Sequence, residues 1–60
     1  MTPASFEAWR ERQGLTETAC AELLDCSRNS IRNWQSGKTK IKRVVALACA
    51  ALSFGLEPLE

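Results

Sequence analysis

The stretch LTETACAELLDCSRNSIRNWQSG, Leu15 to Gly37, decides the fold of this 60-residue chain. It holds two short helical patterns joined by a turn too short to act as a flexible loop. Thr16 stands where a hydroxyl can accept from an early amide and start a helix over about 17–24. Cys20, Ala21 and Leu24 then fall at i, i+1 and i+4 on one face, with Ala21 small enough for a second helix to cross closely. Asp25 occupies the turn, where a left-handed residue is expected. Asp tolerates that conformation better than most residues bearing a Cβ, at about 1 kcal/mol. Cys26 follows as an apolar plug, and Ser27 caps a helix over about 28–35. Ile31 and Trp34, three apart, point inward, and Gly37 ends that helix.

The flanking segments extend the pattern. A first helix over about 3–13 starts with Thr2 as cap and Pro3 in the first turn. Phe6 and Trp9 face inward, Gln13 continues their face, and Gly14 stops the helix. After a basic loop, Lys38 to Lys40, a fourth helix is expected over about 41–54. It carries two apolar stripes. Val45, Ala48, Cys49 and Leu52 have core spacing. Val44, Leu47, Ala51 and Phe54 lie on a neighbouring face and either widen the core contact or, with Leu56 and Leu59, form a self-association surface. No strand pattern occurs. The expected architecture is all-α: one compact four-helix domain spanning 1–60.

Size and composition narrow the function classes. A chain this short buries only about 60% of its unfolded surface, so a dimer would add stability. Three cysteines, Cys20, Cys26 and Cys49, without secretory features argue against a disulfide framework. There is no histidine and no Cys-x-x-Cys pair, so neither a metal nor a cofactor is expected. The cysteines read as small apolar residues in a reducing compartment. The opening MTPASFEAWRERQ lacks a signal pattern, and the longest apolar run, Val44 to Leu52, is nine residues against the about 20 a bilayer needs. A cytoplasmic location is expected. Catalysis is not: Ser27, Ser30 and Ser36 have no histidine or other plausible base, no phosphate-cradling glycine loop occurs, and Glu7 and Glu11 fit a solvated outer face.

The net charge of +1 conceals a segregation. Arg28, Arg32, Lys38, Lys40, Lys42 and Arg43 form a block without acids, whereas residues 1–27 carry −3 and residues 44–60 carry −2. One block of like charge points to a polyanionic partner more strongly than overall charge does.

From Leu15 to Gly37 the chain resembles the helix-turn-helix of the lambda-repressor-like, XRE/Cro-type family. Ala21, Cys26, Ser27, Ile31, Trp34 and Gly37 fall at that family's spacing without gaps. Phe6, Trp9, Arg10, Gly14 and Leu15 match its first helix, and the segment from Gly37 to Lys40 with the helix after it resembles its phosphate-contacting loop and fourth helix. The resemblance covers about residues 5–54.

That resemblance implies a sequence-specific, double-stranded-DNA-binding regulator, nucleoid-associated and similar to phage or mobile-element repressors. It would act as a homodimer on a palindromic operator. The helix over 28–35 would enter the major groove, with Arg28, Asn29, Arg32 and Asn33 at base edges. Lys38, Thr39, Lys40, Lys42 and Arg43, with Thr16 and Ser27, would meet phosphates. Independently of the resemblance, the second stripe of the fourth helix offers Leu47, Ala51, Phe54, Leu56 and Leu59 as the dimer contact. The other reading is a protein-interaction module that kept the fold without the DNA.

Three positions depart from the family pattern. Glu17 stands where Gln is usual. Asp25 replaces the turn glycine. Gln35 replaces the Glu that often pairs with the arginine of the first helix, so Arg10 keeps at best a neutral hydrogen-bond partner or pairs with another group. The fifth helix common in the family is not expected after Gly55.

Overall fold

In the computed structural model, which describes residues 1–59, the caps and stops written in the sequence set the helices. They are α1 (Pro3–Arg12), α2 (Glu17–Leu23), α3 (Arg28–Ser36) and α4 (Arg43–Ser53). Three begin at a hydroxyl: Thr2 accepts from Ser5 N, Thr16 from Ala19 N and Ser27 from Ser30 N, each at 3.1 Å. Thr2 and Ser5 complete a reciprocal capping box. Asp25, at φ 54°, is the only residue with a Cβ among the described residues in the left-handed region. It closes α2 by donating its N–H to Glu22 O (3.3 Å), while Cys26 N–H donates to Ala21 O (2.9 Å). The same pair of bonds ends α1 at Gly14 and Leu15.

Each helix ends one residue from where the sequence predicts, α2 at Leu23 and α3 at Ser36, and α4 starts two residues late. Gln13 caps α1 and is exposed, so it does not continue the inward face: the chain has already begun to turn there. At the other end of the chain, Phe54 caps α4 rather than belonging to it. The fourth helix starts at Arg43, not Ile41. Lys42 is extended and caps α4 with its backbone, and Ile41 drops into the core at 6% exposure. Burial of Ile41 just before the cap sets the angle at which the chain enters α4.

The core comprises Phe6, Trp9, Cys20, Ala21, Ile31, Ile41 and Cys49, with Leu15, Leu24, Cys26, Trp34, Val45 and Leu52 packed partly buried against it. Phe6 meets Trp34 edge to face at 5.6 Å and lies 5.9 Å from Trp9. The Trp9 indole Nε1 donates to Ser53 Oγ at 2.8 Å, and Ser53 donates onward to Cys49 O at 2.9 Å, tying α1 to α4. The cysteines are free thiols. Burial pushes all three thiols upward, Cys49 to about 11.

One stripe of α4 faces this core. Cys49 is buried, and Val45, Ala48 and Leu52 are half-buried. The second stripe does not widen the contact: Val44, Leu47 and Phe54 are exposed, and only Ala51 is half-buried. Among the described residues no helix is long and apolar enough to cross a membrane.

Candidate nucleic-acid interface

Helix α3 is sharply two-sided. Ile31 is fully buried and Trp34 half-buried. Asn29 and Arg32 point away from them and are exposed, Arg28 is exposed at the edge of the buried face, and Asn33 flanks the exposed residues half-buried. Ser27 Oγ accepts from Ser30 N at the start of the helix and shares a 3.0 Å hydrogen bond with Ser30 Oγ. Thr16 Oγ1 accepts from its own helix, and its hydroxyl hydrogen is left to donate elsewhere.

The basic loop is pinned to the end of α3. Asn33 O accepts from Thr39 N and from Ser36 Oγ, both at 3.2 Å. Lys38, Thr39, Lys40, Lys42 and Arg43 are all exposed. No side chain caps α4: Val45 N–H donates to Lys42 O at 3.0 Å, and the amides of Arg43 and Val44 have no side-chain acceptor beside Lys40, Lys42 and Arg43. Open amides at the positive end of a helix, flanked by cations, favour an anion.

Between α2 and α3 runs a polar chain of four side chains. Arg10 Nη1 donates to Leu15 O at 2.8 Å, and Arg10 Nε donates to Gln35 Oε1 at 2.7 Å. Gln35 Nε2 donates to Glu17 Oε2 at 3.0 Å, and Arg32 Nε donates to the other carboxylate oxygen at 3.3 Å. Arg10 thus keeps Gln35 as a neutral partner and bonds a backbone carbonyl as well. Glu17 and Arg32 form the one ion pair among the described residues, with side chains 30% and 57% exposed. The Gln35 amide first, and then Arg32, hold the Glu17 carboxyl below its ordinary value. Sequence reasoning placed Arg32 with the outward residues but missed its bond to Glu17. The two lie 15 positions apart. Only the crossing of α2 over α3 brings them together.

The residues considered for self-association lie elsewhere. Leu47, Phe54, Leu56 and Leu59 are exposed, Phe54 by 83% and Leu59 by 99%. Ala51 and Leu56 join Leu23, Ala48 and Leu52 in lining a shallow apolar groove of about 220 Å³. No family model, curated protein or solved structure matches the chain.

Proposed function

We propose that the protein is a sequence-specific, double-stranded-DNA-binding regulator that inserts α3 into the major groove. One observation carries this reading: Ile31 is anchored in the core while Arg28, Asn29 and Arg32 of the same short helix are exposed. Their chemistry suits base edges, since an arginine can pair bidentately with guanine and an asparagine with adenine. The exposed Lys38, Lys40, Lys42 and Arg43, together with the open start of α4, suit the phosphates on either side of that groove. The spacing of the helix-turn-helix residues, similar to lambda-repressor-like domains, supports the same geometry.

The protein then acts as a homodimer on a palindromic operator and represses by occluding a promoter. A palindromic operator would place the two recognition helices about 34 Å apart, one turn of duplex. The exposed Leu47, Phe54, Leu56 and Leu59 near Ala51 offer an apolar dimer surface. That same surface supports the second reading, a protein-interaction module with a different partner.

Selection from a random duplex pool, followed by fluorescence anisotropy, tests the reading. Wild type is expected to enrich an inverted repeat. Arg28→Ala and Asn29→Ala should each lose about 5- to 150-fold on the selected duplex, corresponding to about 1–3 kcal/mol per base contact, with little change on unrelated DNA. Equal binding of wild type and both variants to selected and unrelated duplexes would remove the specific reader.

A further inference from the structure

Given the DNA-reading role proposed for α3, we infer that Glu17 is a positioning residue for Arg32, fixing its guanidinium as a guanine reader. The geometry is specific. Glu17 divides its carboxylate, giving one oxygen to Gln35 Nε2 and the other to Arg32 Nε. Gln35 is itself fixed by Arg10, which is anchored to the backbone of Leu15. A surface arginine normally loses rotamer freedom when it binds, and that loss subtracts from affinity. Here a chain of side chains running back to α1 holds Arg32 before any ligand arrives. The bond uses Nε alone. Both terminal nitrogens remain available, and their spacing matches the O6 and N7 acceptors of guanine.

The carboxylate has a second consequence. It places a negative charge at the start of α2, beside an edge where phosphates approach, and offsets one cation of the basic block. General attraction to the backbone falls while attraction to one base is kept. Glu17 thus trades sequence-independent affinity for discrimination. Gln35 is the necessary counterpart: it offers oxygen to Arg10 and an N–H to Glu17. A carboxylate at position 35 would confront the Glu17 carboxylate instead.

The test compares wild type, Glu17→Gln, Arg32→Ala and the double variant. Each is first checked for native helix content by circular dichroism. Each is then titrated by anisotropy with a duplex selected by wild type, with versions replacing one guanine at a time, and with an unrelated duplex, from 50 to 200 mM salt. Arg32→Ala should abolish the preference for one guanine. Glu17→Gln should lower that preference by about tenfold. It should also tighten binding to the unrelated duplex and steepen its salt slope by about one phosphate contact, near 0.9. In the Arg32→Ala background, Glu17→Gln should leave base preference unchanged. If Glu17→Gln keeps wild-type base preference and salt slope while wild type still discriminates, the positioning role is overturned and the DNA reader stands. If wild type binds no duplex, both fall.

Discussion

The two exposed faces of this small domain are built on opposite principles. On α3, every outward residue is polar, and Arg32 is held through Glu17 and Gln35 to Arg10. On α4 and at its cap, the outward residues Val44, Leu47 and Phe54 are apolar and exposed. On the first surface Arg32 is held by a bond within the domain. The second carries apolar area that favours removal from water. The difference teaches where each type of partner belongs. An ordered polar edge suits a ligand with a fixed array of donors and acceptors, and a smooth apolar stripe suits another apolar stripe.

The largest effect in this comparison should come from the buried underside of α3. Ile31→Ala removes a fully buried side chain and should cost about 2–5 kcal/mol. A chain of this length has on the order of 3–9 kcal/mol in total. Urea titration followed by circular dichroism should find the variant largely or wholly unfolded at low denaturant. A small shift would mean that α3 is not seated on the core.

Ser53→Ala probes how α4 is attached. It strips the buried Trp9 indole of its acceptor and should cost about 1–3 kcal/mol. The same titration, monitored by tryptophan fluorescence, reads it. A neutral result would show that the bond does not anchor α4.

The polar chain on the α3 side makes a finer prediction. Gln35→Glu should lower the thermal midpoint, because two carboxylates then face each other where Gln35 now bridges. Adding Glu17→Gln to that variant should restore it, since Arg10 gains a charged partner and the repulsion is gone. Scanning calorimetry of the two variants decides. Glu17 also makes stability depend on acid. Its folded pKa lies below the unfolded value of about 4.3, so its contribution is complete above that value and is lost as pH falls through the folded pKa. Glu17→Gln should flatten that part of the stability–pH curve. An unchanged curve would mean that the carboxylate is not held.

The smallest effect belongs to the apolar face. In dilute protein, Phe54→Ala should change stability by less than about 0.5 kcal/mol, because the ring is 83% exposed. With a dimer on this face, the wild-type midpoint rises with protein concentration and that rise disappears in the variant. A large loss at high dilution would instead place Phe54 in the core.

Much of this was legible in the chain itself. Thr2, Thr16 and Ser27 mark helix starts by side-chain chemistry that acts within three residues. Gly14, Asp25 and Gly37 mark ends by conformation alone. Ile31, Trp34, Phe6 and Trp9 follow from helical spacing. The features that escaped depend on chain segments far apart. Ile41 has the pattern of a helix residue, and only the demand for burial pulls it out of α4. Ser53 looks like a solvent residue until Trp9 is placed beside it, 44 positions away. The division between the two stripes of α4 likewise depends on which side α1 occupies. The Glu17–Arg32 bond, which most changes the account of the candidate site, arises only from the crossing of α2 and α3.

An amide-resolved NMR titration with the selected duplex tests the division of faces most directly. Shifts concentrated at Arg28, Asn29, Arg32 and Asn33 and across residues 38–43, with the amides of Val44, Leu47 and Ala51 moving only as a dimer forms, would match the account. Shifts confined to α4, or none along α3 at saturating DNA, would contradict it.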